Sequence, residues 1–228
     1  MAQEQQTRGK CTFCGREMTR GGMARHLRTC PERKAAIEEA AASPRKAEKL
    51  HMLQARDAWR GDYWLYLEMK GTATLSDLDQ YLRAIWLECC GHLSQFSIGG
   101  WSGDEIPMGR MIDQVFRPDV EITHIYDFGS SSHTLLQSMD TRQGKPLTRP
   151  PIYLMARNNP PKIPCIECGE PASWLCLECM YERQTSGAVC DEHVEQHQKH
   201  DNYGPTLEIV NSPRVGMCGY KGPAEPPY

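Results

Sequence analysis

The hydrophobic pattern of this chain changes period along its middle stretch. In DYWLYLEM, Tyr63, Leu65, Leu67 and Met69 recur at every second residue, the spacing of one face of a β-strand. The wider segment LHMLQARDAWRGDYWLYLEMKG therefore predicts two strands around a turn at Trp59, Arg60, Gly61 and Asp62. Leu75, Leu78, Leu82 and Ile85 then return at helical spacing, and Thr74 with Asp77 three residues later has the form of a capping box opening that helix. HLSQFSIGG, VEITHIYDFG and HTLLQSMD predict further strands, and PPIYLMARN closes the run. Strands outnumber helices, so the expected fold class is α+β, with a mainly antiparallel sheet, a packed helix and small flanking modules.

The two ends carry a different signal. Of 228 residues eleven are cysteine, and most of these stand in CxxC spacings interleaved with histidine. No run of about 18 apolar residues occurs, and MAQEQQTRGK has no apolar core of a leader, so no membrane span is expected and a cytoplasmic location is. In a reducing compartment such cysteines point to zinc rather than to disulfides. Cys11, Cys14, His26 and Cys30 form CxxC, eleven residues, HxxxC. A helix brings residues four apart onto one face, and a CxxC turn aims two sulfurs at one point, so these four predict one tetrahedral site over residues 1–31.

With Met18 and Met23 at the usual apolar positions, the stretch resembles a C2HC variant of the ββα zinc finger. Such a unit is too small to fold on apolar burial, and zinc would contribute about 10 to 16 kcal/mol. The resemblance puts Thr19, Gly22 and Arg25 at the base-reading positions. Gly22 has no side chain to read with, whereas Arg16, Arg20, Arg25 and Arg28 can meet phosphates without sequence preference. Charge supports this reading, because residues 1–60 hold thirteen Lys/Arg against seven Asp/Glu and the remainder thirteen against twenty-two, so that the head is +6 and the rest −9. Nucleic acid is therefore an expected partner, and a protein partner facing the acidic remainder is the alternative. Residues 32–49, rich in Ala, Glu, Lys and Arg with a break at Ser43-Pro44, read as a helical linker that tethers the finger without packing it.

Residues 50–160 form the expected central domain, and about residues 50–145 of it carry a second resemblance. DYWLYLEM, TLSDLDQYLRAIWLECCGHLSQFSI and THIYDFGSSSHTLL look like the plasmid pRiA4b ORF-3-like family, most specifically at Tyr126-Asp127-Phe128-Gly129. It implies a bacterial, mobile-element setting and no established activity. The chain departs from the family's acid and histidine positions at Ser94, Ser130, Ser132 and Thr134. His133 sits one residue out of register, on the opposite strand face. His92 and His124 read as packed or hydrogen-bonded histidines, Cys89 and Cys90 as small buried residues, and Ser130 to Ser132 as turn residues. An enzyme acting near His92 and Asp127 is the least expected function.

Residues 161–228 hold four pairs: Cys165/Cys168, Cys176/Cys179, Cys190/His193 and His197/His200. Eight ligands make two closed sites, bringing the expectation to three zinc ions per chain. The order resembles B-box cross-brace modules, which implies one site of Cys165, Cys168, Cys190 and His193 and another of Cys176, Cys179, His197 and His200. Cys218 is an alternative ligand in place of His197 or His200. Filled sites leave no position for a reactive water, and neither a zinc deaminase HxE motif nor a GxSxG elbow is present, so the chain is expected to be non-enzymatic.

Overall fold

Both faces of the central strands are apolar, and both are covered. The computed structural model of the protein describes residues 7–59, 61–200 and 202–222, so Arg60 in the expected turn and the first six residues of the N-terminus lie outside the described residues. Along the chain run β1 (Arg8–Cys11), β2 (Glu17–Thr19), α1 (Arg20–Thr29), α2 (Pro31–Ala42), β3 (Glu48–Asp57), β4 (Trp64–Lys70) and α3 (Leu75–Leu82). A π-helical turn (Arg83–Leu87) leads to β5 (Ser94–Ile98), β6 (Asp104–Ile106), α4 (Ile112–Val115), β7 (Glu121–Tyr126), β8 (Ser132–Gly144) and β9 (Ile152–Asn158). The remainder holds β10 (Trp174–Leu175), α5 (Leu177–Glu182), β11 (Ala188–Val189), α6 (Val194–His197) and β12 (Leu207–Glu208). The fold is α+β with a large antiparallel sheet, as the periodicity indicates.

The main sheet has nine strands among the described residues, in the order β2-β1-β9-β4-β3-β8-β7-β5-β6. One face buries Leu53, Leu65, Leu67 and Met69 against Leu75, Leu78, Leu82, Ile85 and Trp86 of α3 and the turn after it. Thr74 and Asp77 form the expected capping box: Asp77 N–H donates to the Thr74 hydroxyl and the Asp77 carboxylate accepts from Thr74 N–H. The opposite face of β4 presents Trp64 and Tyr66, which are buried with Met23, Ala24 and Leu27 of α1 and Met155 of β9.

That second face corrects the reading of the finger as a tethered unit. β1 pairs with β9 through Gly9 and Asn158, Lys10 and Arg157, and Cys11 and Ala156, so the finger extends the central sheet. Its hydrophobic stripe cannot close a core alone, and Trp64 and Tyr66 supply the missing partners. β1 can approach only because residue 9 is glycine: a Cβ there would meet the Arg157 carbonyl oxygen and lie 2.6 Å from Trp64 Cζ2. The segment read as a linker is also bound, since Arg33 of α2 donates to Leu27 O at 2.8 Å and lies 3.8 Å from the buried Glu68 carboxylate. Glu68 in turn accepts two hydrogen bonds from Arg142, at 2.9 and 2.7 Å.

The C-terminal segment folds as a small three-stranded sheet, β11-β10-β12, with short helices. Beyond β12 the chain returns to the central sheet: Ser212 donates to Trp86 O, and Arg214, fully buried, donates to Ser130 O at 2.8 Å. Among the described residues, no helix is long and apolar enough to cross a membrane.

Candidate metal centres

Three Cys/His clusters assemble from the residues that the spacing singled out, each with four ligand atoms within 4.8 Å of one another. Bond lengths of about 2.3 Å for sulfur and 2.0 Å for nitrogen give a tetrahedron with edges of about 3.5 to 3.8 Å. In the finger, Cys14 Sγ and His26 Nε2 stand 3.2 Å apart. Cys11 and Cys14 come from the turn leaving β1, closed by Gly15 N–H on Cys11 O at 2.9 Å, where Gly15 has φ +74°. His26 and Cys30 come from α1 and its C-cap. Burial pushes the Cys30 thiol up to about 12, so a thiolate there needs a cation to offset desolvation.

The same knuckle recurs downstream. Gly169 N–H closes the Cys165 turn at 2.9 Å with φ +82°. Cys168 Sγ is 3.7 Å from Cys190 Sγ, and Cys190 Sγ is 3.1 Å from His193 Nδ1. Burial opposes ionisation of Cys165, but backbone N–H groups at Glu167 and Cys168 aim at its sulfur and bring it down to about 6. Cys176, at the N-cap of α5, and Cys179, inside that helix, face His197 and His200. Cys179 Sγ lies 3.3 Å from His197 Nδ1 and 3.4 Å from His200 Nδ1.

The pairing is thus first with third and second with fourth. His197 turns its other nitrogen, Nε2, to Glu167 Oε1 at 3.2 Å, an outer carboxylate that orients a ligating imidazole. Glu167 belongs to the knuckle of the neighbouring cluster, so that knuckle helps to position a residue of this one. The donor set of thiols and imidazoles suits a metal ion, and all four positions of each cluster come from protein.

Other expected site residues fare differently. Arg16 and Arg25 are exposed. Arg28 is committed to Met139 O at 2.7 Å and to Asp140 at 3.7 Å, because docking of the finger brings β8 alongside α1. Arg20 reaches Gly61 O at 3.4 Å. His124 is buried, with Nε2 2.8 Å from Asp79 Oδ1. Asp127 takes a left-handed turn conformation, φ +66°, and accepts from Gly129 N–H at 2.9 Å.

Two cysteine assignments are corrected. Cys218 is not near the His197/His200 cluster: the returning tail carries it to Cys89, Cys90 and His92, where the four form a further group with metal-ligand spacing. Cys89 is only partly buried and Cys90 is exposed, because the turn ending at Leu87 lifts them out of the core. The local signal for this group is weak, CCxH followed 126 residues later by a lone cysteine.

No protein-family profile matches the chain, and no curated protein matches it. A crystal structure of a protein of unknown function from Methanosarcina mazei Go1 is similar at 16% identity and TM-score 0.44, covering 72% of this chain and 95% of that one.

Proposed function

We propose that the chain is a non-enzymatic zinc protein of the bacterial pRiA4b ORF-3-like kind that works as a nucleic-acid-associated accessory factor. Zinc is the metal that four-coordinate sets of Cys and His favour, and the three clusters read from spacing would each take one ion. Sites filled by four protein ligands leave no place for an activated water, which supports a structural rather than a catalytic role.

One juxtaposition carries the nucleic-acid reading. Arg20, at the start of the finger helix, contacts Gly61 O in the loop that bears Trp59, which is 74% exposed. The Trp59 ring lies 5.8 Å from His133, whose ring is parallel to Trp101 at 6.4 Å, and Trp101 meets Phe128 edge-on at 5.2 Å. Exposed rings in series beside a basic element are what unpaired bases stack on while cations track their phosphates. Arg16 and Arg25 are exposed cations of that element, and Arg28, also exposed, is engaged by Met139 O and Asp140.

The test is binding of fluorescent single-stranded oligonucleotides at low salt. Trp59→Ala is expected to weaken binding about fivefold or more, from about 1 to 3 kcal/mol per stacked base, and Arg16→Ala with Arg25→Ala to flatten the salt dependence. Absence of binding, or binding indifferent to all three changes, refutes the reading. The exposed apolar Leu93 (72%) and Ile98 (48%) favour a protein partner as the second reading, which a complex surviving high salt and nuclease would support.

A further inference from the structure

We infer that Cys89, Cys90, His92 and Cys218 form an additional zinc site, whose role is to clasp the C-terminal tail onto the central sheet. This inference does not rest on the nucleic-acid reading. The four ligand atoms lie within 4.8 Å of one another, with Cys218 Sγ 3.7 Å from His92 Nε2. Three thiols and one imidazole complete a tetrahedron, and binding would release the three thiol protons to solvent.

A buried cation faces two of these sulfurs. Arg214 has no solvent exposure, yet it donates from Nε to Cys89 Sγ at 3.3 Å and from Nη2 to Cys218 Sγ at 3.5 Å. A permanently charged guanidinium sealed from water needs anionic acceptors, and two of those it faces are these sulfurs. Its remaining donors go to Ser130 O at 2.8 Å, to Ser132 Oγ at 3.0 Å and to the Asp127 carboxylate. Its plane also covers the Tyr126 ring at 4.8 Å. Divalent zinc with three thiolates carries one net negative charge, which Arg214 offsets while Asp127 fixes the guanidinium in place.

Backbone geometry points the same way. Cys218 and Asp127 both adopt positive φ, +50° and +66°, a conformation that side chains other than glycine rarely take. Gly216 and Gly219 flank Cys218 with φ of +83° and +65°, so the tail is turned sharply to present one sulfur. Asp127 Oδ2 lies 3.5 Å from His92 Nε2 and 4.0 Å from Cys218 Sγ. Asp127 and Cys218 both face the same His92 nitrogen, unlike a nucleophilic triad, in which acid and nucleophile take opposite ring nitrogens; with two more sulfurs at the same point, a closed ligand set is the simpler chemistry.

Zinc content of the full-length protein, purified reduced and without chelator, tests this by elemental mass spectrometry. The expected count is four per chain, one for each cluster, falling to three in both Cys218→Ser and Cys90→Ser. Cys90 is exposed, so its variant keeps the fold and separates loss of metal from misfolding, with circular dichroism unchanged. Amides of residues 212–220 are expected to exchange at least tenfold faster in Cys218→Ser. A wild-type count that either variant leaves unchanged overturns the inference. So does a disulfide joining Cys218 to Cys89 or Cys90 in the native protein.

Discussion

Gly9→Ala is the sharpest probe of how the finger is held. The new Cβ would overlap the Arg157 carbonyl oxygen, which belongs to the partner strand's backbone, and would press on Trp64, whose ring has no solvent exposure. Neither obstacle is a flexible side-chain end, so the substitution must strain the β1 to β9 pairing or expel β1 from the sheet. Expulsion surrenders burial of Met23 and Leu27, about 1.5 to 3 kcal/mol each, plus the bonds from Thr12 N–H to Met155 O and Asn159 N–H to Arg8 O. Overpacking strain costs about 1 to 3 kcal/mol. The smaller cost wins, so the finger stays docked but opens about 5 to 150 times more often. Hydrogen exchange at β1 and α1 reads that directly, with zinc content as a control that the finger itself stays folded. Gly21→Ala has open space around its Cβ inside α1 and is expected to stabilise by about 0.5 to 1 kcal/mol. Exchange in Gly9→Ala within twofold of wild type would refute the docking argument.

Part of the acid sensitivity should trace to His124. Burial holds its pKa below the ordinary 6.5, and its Nδ1 has no partner, so a second proton would place an unmatched donor in the core. Asp79 beside it is brought down to about 2, against its own burial, by His124, Ser94 and Arg83. Below pH 6.5 the unfolded chain takes up a proton at His124 that the folded chain refuses, so stability falls by about 1.4 kcal/mol per pH unit until the depressed pKa is reached. In zinc-replete urea melts from pH 7.5 to 5.5, the stability advantage of wild type over His124→Gln is expected to shrink; a difference that stays constant with pH contradicts the assignment. Cys165→Ser and Cys176→Ser should each lose metal and abolish the order of the C-terminal module in amide spectra while the nine-stranded sheet persists. Retention of native C-terminal resonances in either variant would show that metal is not what holds that module.

The strands and the three spaced ligand sets were legible because each depends on neighbours within a few residues. Period two in Tyr63 to Met69 marks the face that α3 covers, and HxxxC or CxxC spacing needs only one helical turn or one knuckle. The docking of the finger left a fainter trace. Trp64 and Tyr66 alternate with Leu65 and Leu67, so WLYL is apolar on both faces, the mark of a strand covered twice. A reading of one face alone leaves the finger nothing to pack on. The group around Cys218 was illegible for another reason: its parts lie 126 residues apart, and the helix containing Ile85 ends in a π turn that aims Cys89 and Cys90 outward instead of into the core. Arg214 offers no periodicity at all, since its burial is a product of charge matching with Asp127 and sulfur.

The two flanking modules solve the problem of small size in different ways. In the finger, Cys11, Met23, Leu27 and Cys30 share one apolar cluster with Trp64, Tyr66, Met155 and Ala156, so packing against a large sheet supplies burial that the unit cannot make alone. The C-terminal module has no such wall. Its buried apolar residues include Cys165, Val189, Cys190 and Val194 in one cluster and Leu175, Ala188 and Leu207 in the small sheet, and Cys165 and Cys190 of the first group belong to a Cys/His cluster. Glu167 and His197 instead link its two Cys/His clusters to each other. If both clusters bind metal, that link ties the affinity of each site to the geometry of the other, so the module is expected to order as one unit and not as two independent loops.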